Sequence, residues 1–431
     1  MALHPKGFDL SLDRISKLLD RLGNPQSRMP PVIHVAGTNG KGSCAALCRA
    51  LLEAAGHSVH VHTSPHLVNW HERYRIGSAD GPGALVEDAV LADAIRRVAD
   101  ANGGQQITVF EILTAVMFLL FSEYPADAAI VEVGLGGRFD ATNVIGSPAV
   151  SVIMPIGLDH QAYLGDRIEL IAMEKAGIMK PGCPVVIGYQ DNDVAREVLI
   201  DAADRVGAPA SVYGQDFYAY QEHGRLVFQS DSGLMDLPLP RLAGRHQITN
   251  AATALAAVAA TGFEVSQETA ERAMSAVSWP GRMQRLSEGP LPALLPDSSE
   301  IWLDGGHNPH AAAMIAETLA GMYDLTERPL FLITGMINTK DPRGYFRAFE
   351  GMARHCFTVP VTGSDAGVDP HALAEDAIAA GLTAQPMQSV GQVLRLLGEG
   401  WNKLEPPPRV MIGGSLYLVG EVLRENGTPP Q

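Results

Sequence analysis

The sequence predicts an α/β protein made of two doubly wound domains, and three observations predict it. A short apolar run, Pro31-Val32-Ile33-His34-Val35, leads into the glycine-rich turn Ala36-Gly37-Thr38-Asn39-Gly40-Lys41-Gly42-Ser43 and then into the Ala- and Leu-rich stretch Cys44 to Ala55, which reads as strand, turn and helix. Strand-like and helix-like segments alternate along most of the rest, as a parallel sheet covered by helices requires. The alternation breaks at Trp279-Pro280-Gly281-Arg282 and across residues 287–299, SEGPLPALLPDSS, and then resumes. A chain of 431 residues exceeds one ordinary core, so the boundary is placed within 283–300.

In chain order, residues 9–22 place Leu10, Leu12, Ile15, Leu18, Leu19 and Leu22 near helical spacing, and Ser11 suits the helix start. Ser58 to His62 reads as a second strand, ending in the polar loop Thr63-Ser64-Pro65-His66. Leu85 to Asn102 reads as a helix. Thr108 to Phe121 reads as a buried helix, apolar nearly all round except for Glu111. Strands follow at Ala128 to Val133, Val150 to Pro155 and Pro184 to Ile187, with helices at Arg167 to Met179 and Asp193 to Val206. Ser211 to Leu239 alternates with turns, as an antiparallel hairpin region does, and two helices follow at Gln247 to Thr261 and Ser266 to Val277. Beyond the break, strands are expected at Ile301 to Asp304, Pro329 to Thr334, Cys356 to Val359 and Val410 to Ile412. Helices are expected at His310 to Tyr323, Gly344 to Ala353, Pro370 to Ala380, Val390 to Leu397 and Leu416 to Arg424. Residues 425–431 read as a frayed tail.

Composition narrows the function. The net charge is −16, with 46% hydrophobic and 19% charged residues and no long basic run, which argues against nucleic acid and anionic membranes as partners. The cysteines Cys44, Cys48, Cys183 and Cys356 form no disulfide or zinc pattern, and Cys44 and Cys48 fit as small apolar groups on one helix face. The N-terminus carries no apolar leader core, and no 18-residue apolar run exists, so a cytoplasmic location is expected.

The turn at Ala36–Ser43 has the context of a phosphate-binding loop. Backbone N–H groups and a helix N-terminus face an anion, and Lys41 adds a point charge. Its spacing departs from G-x-x-x-x-G-K-[ST], because Gly42 separates Lys41 from Ser43. Ser64, Glu132 and His160 each follow a predicted strand and so lie on the edge that carries this loop. They suit Mg²⁺ beside phosphates, although a histidine is an unusual Mg²⁺ ligand. A strand-end salt bridge and a loop histidine are the alternative. Lys175 beside Glu174 suits phosphate, its neighbour or solvent. Arg282 suits either a phosphate contact at a hinge or an interdomain ion pair. Asp304-Gly305-Gly306-His307-Asn308-Pro309 suits a polar loop facing a cleft or an ordinary capped turn, and Gly413-Gly414-Ser415 offers a second helix N-terminus.

Taken together, GTNGKGS at 37–43, Thr63-Ser64-Pro65-His66-Leu67, Glu132-Val133-Gly134-Leu135-Gly136-Gly137-Arg138, Leu158-Asp159-His160, Glu174-Lys175-Ala176-Gly177-Ile178, Asp304 to Pro309 and Gly414-Ser415-Leu416-Tyr417 resemble the folylpolyglutamate synthase/dihydrofolate synthase family, a branch of the Mur ligase superfamily. The matches keep their order over nearly the whole chain. The resemblance implies an N-terminal P-loop domain of Mur-ligase type that binds ATP and pterin (1–285), a linker (286–300) and a smaller Rossmann-like C-terminal α/β domain that serves glutamate ligation (301–431). It also implies activation of a carboxylate by ATP to an acyl phosphate, followed by attack of the L-glutamate amine. Asn39, Gly40, Lys41, Gly42, Ser43, Asn250, Arg282 and Asp304 match nucleotide contacts, and Ser64, Glu132 and His160 match Mg²⁺ ligands. Lys175 matches a lysine that is carbamylated to serve a second Mg²⁺. Lys41, Lys175, His307 and Ser415 match positions linked to catalysis. Asp9, Leu10, Ser11, Leu12, Thr108, Val109, Phe110, Glu111, Phe139, Asp140 and Ala141 match the pterin pocket, with Phe110 offering a ring to stack. The chain departs from the family at Gly305-Gly306, where alanine is common, and around Ile337 to Lys340.

Members of the family add the first glutamate to dihydropteroate, extend tetrahydrofolates, or do both. His4-Pro5-Lys6 leading to Asp9-Leu10-Ser11-Leu12 resembles the stretch that bifunctional members use, so a bifunctional monomer is expected. A polyglutamate-only enzyme, another Mur-type amide ligase and a non-ligating P-loop NTPase switch are the alternatives. Only about 35 residues precede the loop, too few for the substrate domain that other Mur ligases carry there.

Overall fold

The computed structural model describes residues 11–159 and 161–431. Its elements are, in order, α1 (Asp13–Arg21), β1 (Val32–Ala36), α2 (Lys41–Ala54), β2 (Val59–His62), β3 (Tyr74–Ser78), β4 (Gly81–Leu85), α3 (Asp88–Asn102), α4 (Val109–Glu123), β5 (Ala128–Glu132), β6 (Val150–Ile153), α5 (Gln161–Leu164), α6 (Ile168–Ala176), β7 (Val185–Ile187), α7 (Asp193–Val206) and β8 (Ala210–Val212). Then come β9 (Phe217–Glu222), β10 (Arg225–Ser230), β11 (Gly233–Pro238), α8 (His246–Ala260) and α9 (Gln267–Ala276). The last stretch holds β12 (Gln284–Leu286), β13 (Glu300–Asp304), α10 (Pro309–Leu325), β14 (Leu330–Thr334), α11 (Pro342–Arg347), β15 (Ala353–Thr358), α12 (Pro370–Ala379), β16 (Ala384–Pro386), α13 (Val390–Gly400), β17 (Arg409–Gly413) and α14 (Leu416–Glu425).

The first sheet has the order β4-β3-β2-β5-β1-β6-β7-β8, parallel from β2 to β8, with β3 and β4 added antiparallel at one edge. Its central strands are buried along their whole length, as a sheet covered on both faces requires. Ile33, Val35 and Val59 pack under Leu47 and Leu51 of α2 and the alanines of α8, whereas Val32 and Val131 pack under Phe118 and the rest of α4. The chain leaves β1 for β2 on one side and later returns to β6 on the other, with β5 between β1 and β2. That reversal opens a crevice at the carboxyl ends of β1, β5 and β6.

Strands β9 to β11 form a separate antiparallel sheet, as the alternation over Ser211 to Leu239 predicts. A third sheet, β12-β13-β17-β14-β15-β16, is parallel except for β12. Asp304, Gly413 and Thr334 end β13, β17 and β14 in register, so the loops after them share one edge.

Four expectations need correction. Leu85 ends a strand, and the helix begins at Asp88. Strands β3 and β4 were not anticipated; Gly81-Pro82-Gly83 carries little strand propensity, and the pairing comes from β2. Helix α11 stops at Arg347, and Ala353 opens β15. The tail is tied down: Asn426 is buried, its Nδ2 donates to Glu288 O at 2.8 Å and its Oδ1 accepts from Leu291 N at 3.1 Å. Cys44 and Cys48 are fully buried small groups, as expected.

Candidate active site

The turn after β1 takes its shape from two glycines. Gly40 caps α2 at φ 82°, a conformation that favours glycine. A Cβ on Gly42 would lie 2.7 Å from the Trp279 indole, so the helix start can approach Trp279 only without a side chain. Thr38 fixes the turn to the neighbouring strand end: its N–H donates to Pro155 O at 2.9 Å, and its hydroxyl donates to Gly157 O at 3.0 Å. The α2 N–H groups that have no partner inside the helix face a cavity of ≈ 180 Å³.

Two lysines converge on one carbonyl. Lys41 Nζ donates to Gly37 O at 3.0 Å and to Thr38 O at 3.3 Å, and Lys175 Nζ donates to the same Gly37 O at 2.9 Å. Burial pushes the Lys41 ammonium down from its ordinary range. Burial, reinforced by the Lys41 charge, brings Lys175 down to about 7. Opposite them stands Glu132 at the end of β5, whose Oε2 accepts from Ser64 N at 3.2 Å. Burial pushes its carboxyl up, and the nearby Lys41 charge draws it back. Among the described residues Ser64 Oγ is buried with no hydrogen-bond partner. An unpaired hydroxyl oxygen beside a carboxylate is the donor set a hard divalent cation takes, with phosphate oxygens and water completing its shell. His160, the third expected ligand, lies outside the described residues. Among the described residues no three His, Cys, Asp or Glu side chains gather as a metal site.

The facing wall comes from the third sheet. Asp304 holds it in shape: Oδ2 accepts from Met283 N at 2.8 Å and Oδ1 from Gly306 N at 2.7 Å. Gly305 stands where a Cβ would meet Leu416 at 2.2 Å and Arg282 Nη1 at 2.7 Å, which accounts for glycine at this position. His307 Nδ1 donates to Gly305 O at 3.0 Å, and Nε2 lies 3.4 Å from Asp159 Oδ2. Burial lowers the His307 pKa, and Asp159 opposes that shift. Ser415 is buried and caps α14, accepting from Tyr417 N at 3.1 Å.

The two walls touch through a polar seam that the sequence reading did not assign. Lys340 Nζ donates to Asp159 Oδ1 at 2.7 Å, with both side chains almost fully buried. Asn308 Nδ2 donates to Asp159 Oδ2 at 3.1 Å and to Asn39 Oδ1 at 3.2 Å. His246 and Gln247 also line the cavity beside Asn250, whose Nδ2 donates to Gln247 Oε1 at 3.0 Å. Asn250, three residues on from Gln247 on the same helix, was the only signal for them.

Asn39, Gly40, Lys41, Gly42, Ser43, Ser64, Glu132, Lys175, Asn250, Arg282, Asp304 and His307 thus line one cavity, whereas Ser415, next to the lining residue Leu416, does not. The pterin-pocket residues do not line it. Asp9 and Leu10 lie outside the described residues. Ser11 accepts from Asp13 N at 3.1 Å ahead of α1, and Leu12, Val109 and Phe110 pack on the α1/α3/α4 core. Thr108 and Glu111 cap α4 reciprocally, and Glu111 also pairs with Arg14 at 3.1 Å, so the charge that stood out in α4 has a structural role. Phe110 lies directly against Gly134, a residue of the cavity wall. Asp140 Oδ2 accepts from Gly134 N at 3.0 Å and Leu135 N at 2.9 Å, holding that wall in place. Phe139 is 40% exposed, and Ala141 is buried.

The chain is similar to known proteins over nearly its whole length. Residues 35–258 match the Mur ligase middle domain. The dihydrofolate synthase/folylpolyglutamate synthase of Mycobacterium tuberculosis is 38% identical over 394 residues, spanning 85% of this chain and 77% of that protein. Escherichia coli FolC in complex with DHPP and ADP superposes with a TM-score of 0.85 at 31% identity, covering 98% of this chain and 94% of that one. The bifunctional folylpolyglutamate synthase/dihydrofolate synthase of Yersinia pestis, complexed with AMPPNP and Mn ion, gives 0.85 at 30% identity, covering 98% and 95%. The chain belongs to the dihydrofolate synthase/folylpolyglutamate synthase family of Mur-type ligases and is an ATP-dependent ligase of folate metabolism.

Proposed function

We propose that this enzyme joins L-glutamate to dihydropteroate and also to tetrahydrofolates, through an acyl phosphate formed in the cleft between the two walls. The observation that carries the reading is that one cavity brings together a glycine-rich phosphate loop, the Ser64 hydroxyl beside the Glu132 carboxylate, and a second wall bearing Arg282 and His307. The carboxylate oxygen of the pterin acid attacks the γ-phosphorus of ATP, and ADP leaves. The glutamate amine then attacks the acyl carbon, phosphate leaves, and the amine gives up a proton. Such transfers need positioning and charge neutralisation more than covalent help. The turn 39–43 and Lys41 hold the phosphates, Arg282 adds charge from the second wall, and Asn250 and Asp304 shape the nucleotide site. His307, whose imidazole burial holds toward the neutral form, takes the proton that the amine releases, and Ser415 orders the loop beside the incoming glutamate. The acyl phosphate survives because a closed two-walled cleft excludes water.

Mg²⁺ held by Ser64 and Glu132, with His160, neutralises phosphate charge when bound. Lys175 is set up for carbamylation: two ammoniums on one carbonyl repel, and an amine that titrates near 7 presents the free base that adds carbon dioxide and releases a proton. The carbamate turns a repulsive neighbour of Lys41 into an attractive one and supplies an oxygen donor for a second Mg²⁺. In this reading residues 1–285 bind ATP and pterin, 286–300 link and 301–431 serve glutamate ligation. The enzyme acts as a cytoplasmic monomer on small molecules alone, and no helix among the described residues is long and apolar enough to cross a membrane.

The test is the requirement for substrates. ADP release depends on the pterin acid and on L-glutamate together, with amide formed in equal amount. ATP hydrolysis that ignores both would replace this reading with that of an NTPase switch. For Lys175, isotope-labelled bicarbonate yields a carbamate signal in the wild type that is lost in Lys175→Ala; no signal in the wild type contradicts the modification.

A further inference from the structure

Asn39 lines the reaction cavity, yet both ends of its side chain are spent on the facing wall. The donors and acceptors there form one consistent chain. Asn308 caps α10 by accepting from Ala311 N at 2.8 Å through Oδ1, which turns its Nδ2 to Asn39 Oδ1 at 3.2 Å. Asn39 Nδ2 then donates to His310 Nδ1 at 2.8 Å. An amide nitrogen only donates, so Nδ1 accepts and the ring proton sits on Nε2, which donates to Asp191 Oδ2 at 2.9 Å. Asp191 follows β7, and its neighbour Gln190 locks that loop: Oε1 accepts from Ile156 N at 2.9 Å, and Nε2 donates to Gly188 O at 3.1 Å. His310 itself does not line the cavity. It belongs to the second wall, in the first turn of α10, but it is pinned at two points of the first sheet: the phosphate turn after β1 and the loop after β7.

We propose that Asp191, His310 and Asn39 form a latch that holds the cleft shut over the acyl phosphate. The inference rests on the functional reading above and deepens it, by naming the contact that closes the same site. His310 and Asp191 are positioning residues: they act through the Asn39 side chain and touch no reacting atom. A swing of the second wall away from the first breaks both His310 bonds at once, so the phosphate turn has its full set of hydrogen bonds only while the cleft is shut. Closure matters because an acyl phosphate has two fates. The glutamate amine attacks the acyl carbon and yields amide and phosphate. Water attacking the same carbon returns the pterin acid and phosphate, and the ATP is spent without a product. A contact that holds the walls together favours the first fate.

The experiment measures phosphate released per amide formed, together with kcat and KM, in full-length wild type, His310→Ala, Asp191→Ala and the double variant. The wild type releases one phosphate for each amide. His310→Ala lowers kcat for amide formation about tenfold and raises the phosphate-to-amide ratio to about three or more, while KM for the pterin acid stays within about twofold. Asp191→Ala lowers kcat about threefold and adds nothing in the His310→Ala background, because it acts through that ring. The Asp191 side chain is half exposed, so Asp191→Ala keeps the fold and reads the ratio even where His310→Ala does not fold. Losses that multiply in the double variant, a ratio that stays at one, or an unchanged kcat overturns the proposal. A wild type that forms no amide refutes the functional reading itself, whereas an active wild type with unmoved variants refutes the latch alone.

Discussion

The two walls of the cleft spend their polar groups differently. On the phosphate wall, among the described residues, Ser64 Oγ has no partner, Glu132 accepts one backbone N–H, and Lys41 and Lys175 crowd a single carbonyl. On the facing wall Asp304 has both oxygens on backbone N–H groups, and Asn308 and Ser415 each cap a helix. Buried groups without partners cost free energy, so the phosphate wall is built for a ligand that the chain does not supply. The facing wall is complete in itself and serves as a frame. Substitutions should therefore separate: phosphate-wall variants lose activity and keep stability, and frame variants lose stability first.

Lys41→Ala should give the largest effect on activity. It should lower kcat/KM about a thousandfold, or roughly 4 kcal/mol of transition-state stabilisation, while the urea midpoint holds or rises because a desolvated ammonium has gone. A midpoint that falls with activity would break the contrast. Acid should act next, and away from the cleft. His34 and His62 are fully buried, and burial foremost holds each at about 3 against an ordinary 6.5. The fold refuses protons that the unfolded chain accepts, so stability is complete above pH 6.5 and is lost as pH falls toward 3. The loss amounts to roughly 5 kcal/mol for each histidine once complete. Denaturant titrations from pH 7 to pH 4 check this, and His62→Leu should flatten the slope. Asp304→Ala should cost about 2 kcal/mol by freeing two backbone donors, read as a lower Tm for the C-terminal sheet. Glu132→Gln should be the mildest in stability, gaining up to about 1 kcal/mol in the metal-free protein while the Mg²⁺ concentration needed for activity rises.

The phosphate wall was legible in the sequence because its residues sit at strand ends in fixed local contexts. Strand, glycine-rich turn and helix place Lys41, and an apolar strand places Glu132. The frame was legible in part: Asp304-Gly305-Gly306 announces a tight loop, but no local pattern shows that Asp304 caps Met283. The seam was illegible because Lys340 and Asp159 are far apart in sequence and meet only once both sheets have formed. The partners of Glu111 were illegible for a related reason. The carboxylate stands out in an apolar helix, and of the partners that make it a cap and an ion pair, Thr108 is local but Arg14 is distant in sequence. Strands β3 and β4, rich in glycine and held by β2, gave no periodic signal.

The most direct test of the central claim is ADP release with Mg·ATP and L-glutamate, run with dihydropteroate in one reaction and tetrahydrofolate in the other. One cleft serving both acids predicts glutamate-dependent turnover in each. Turnover with tetrahydrofolate alone would contradict the first ligation, and silence with both acids while ATP still binds would contradict the assignment of the cleft to pterin substrates.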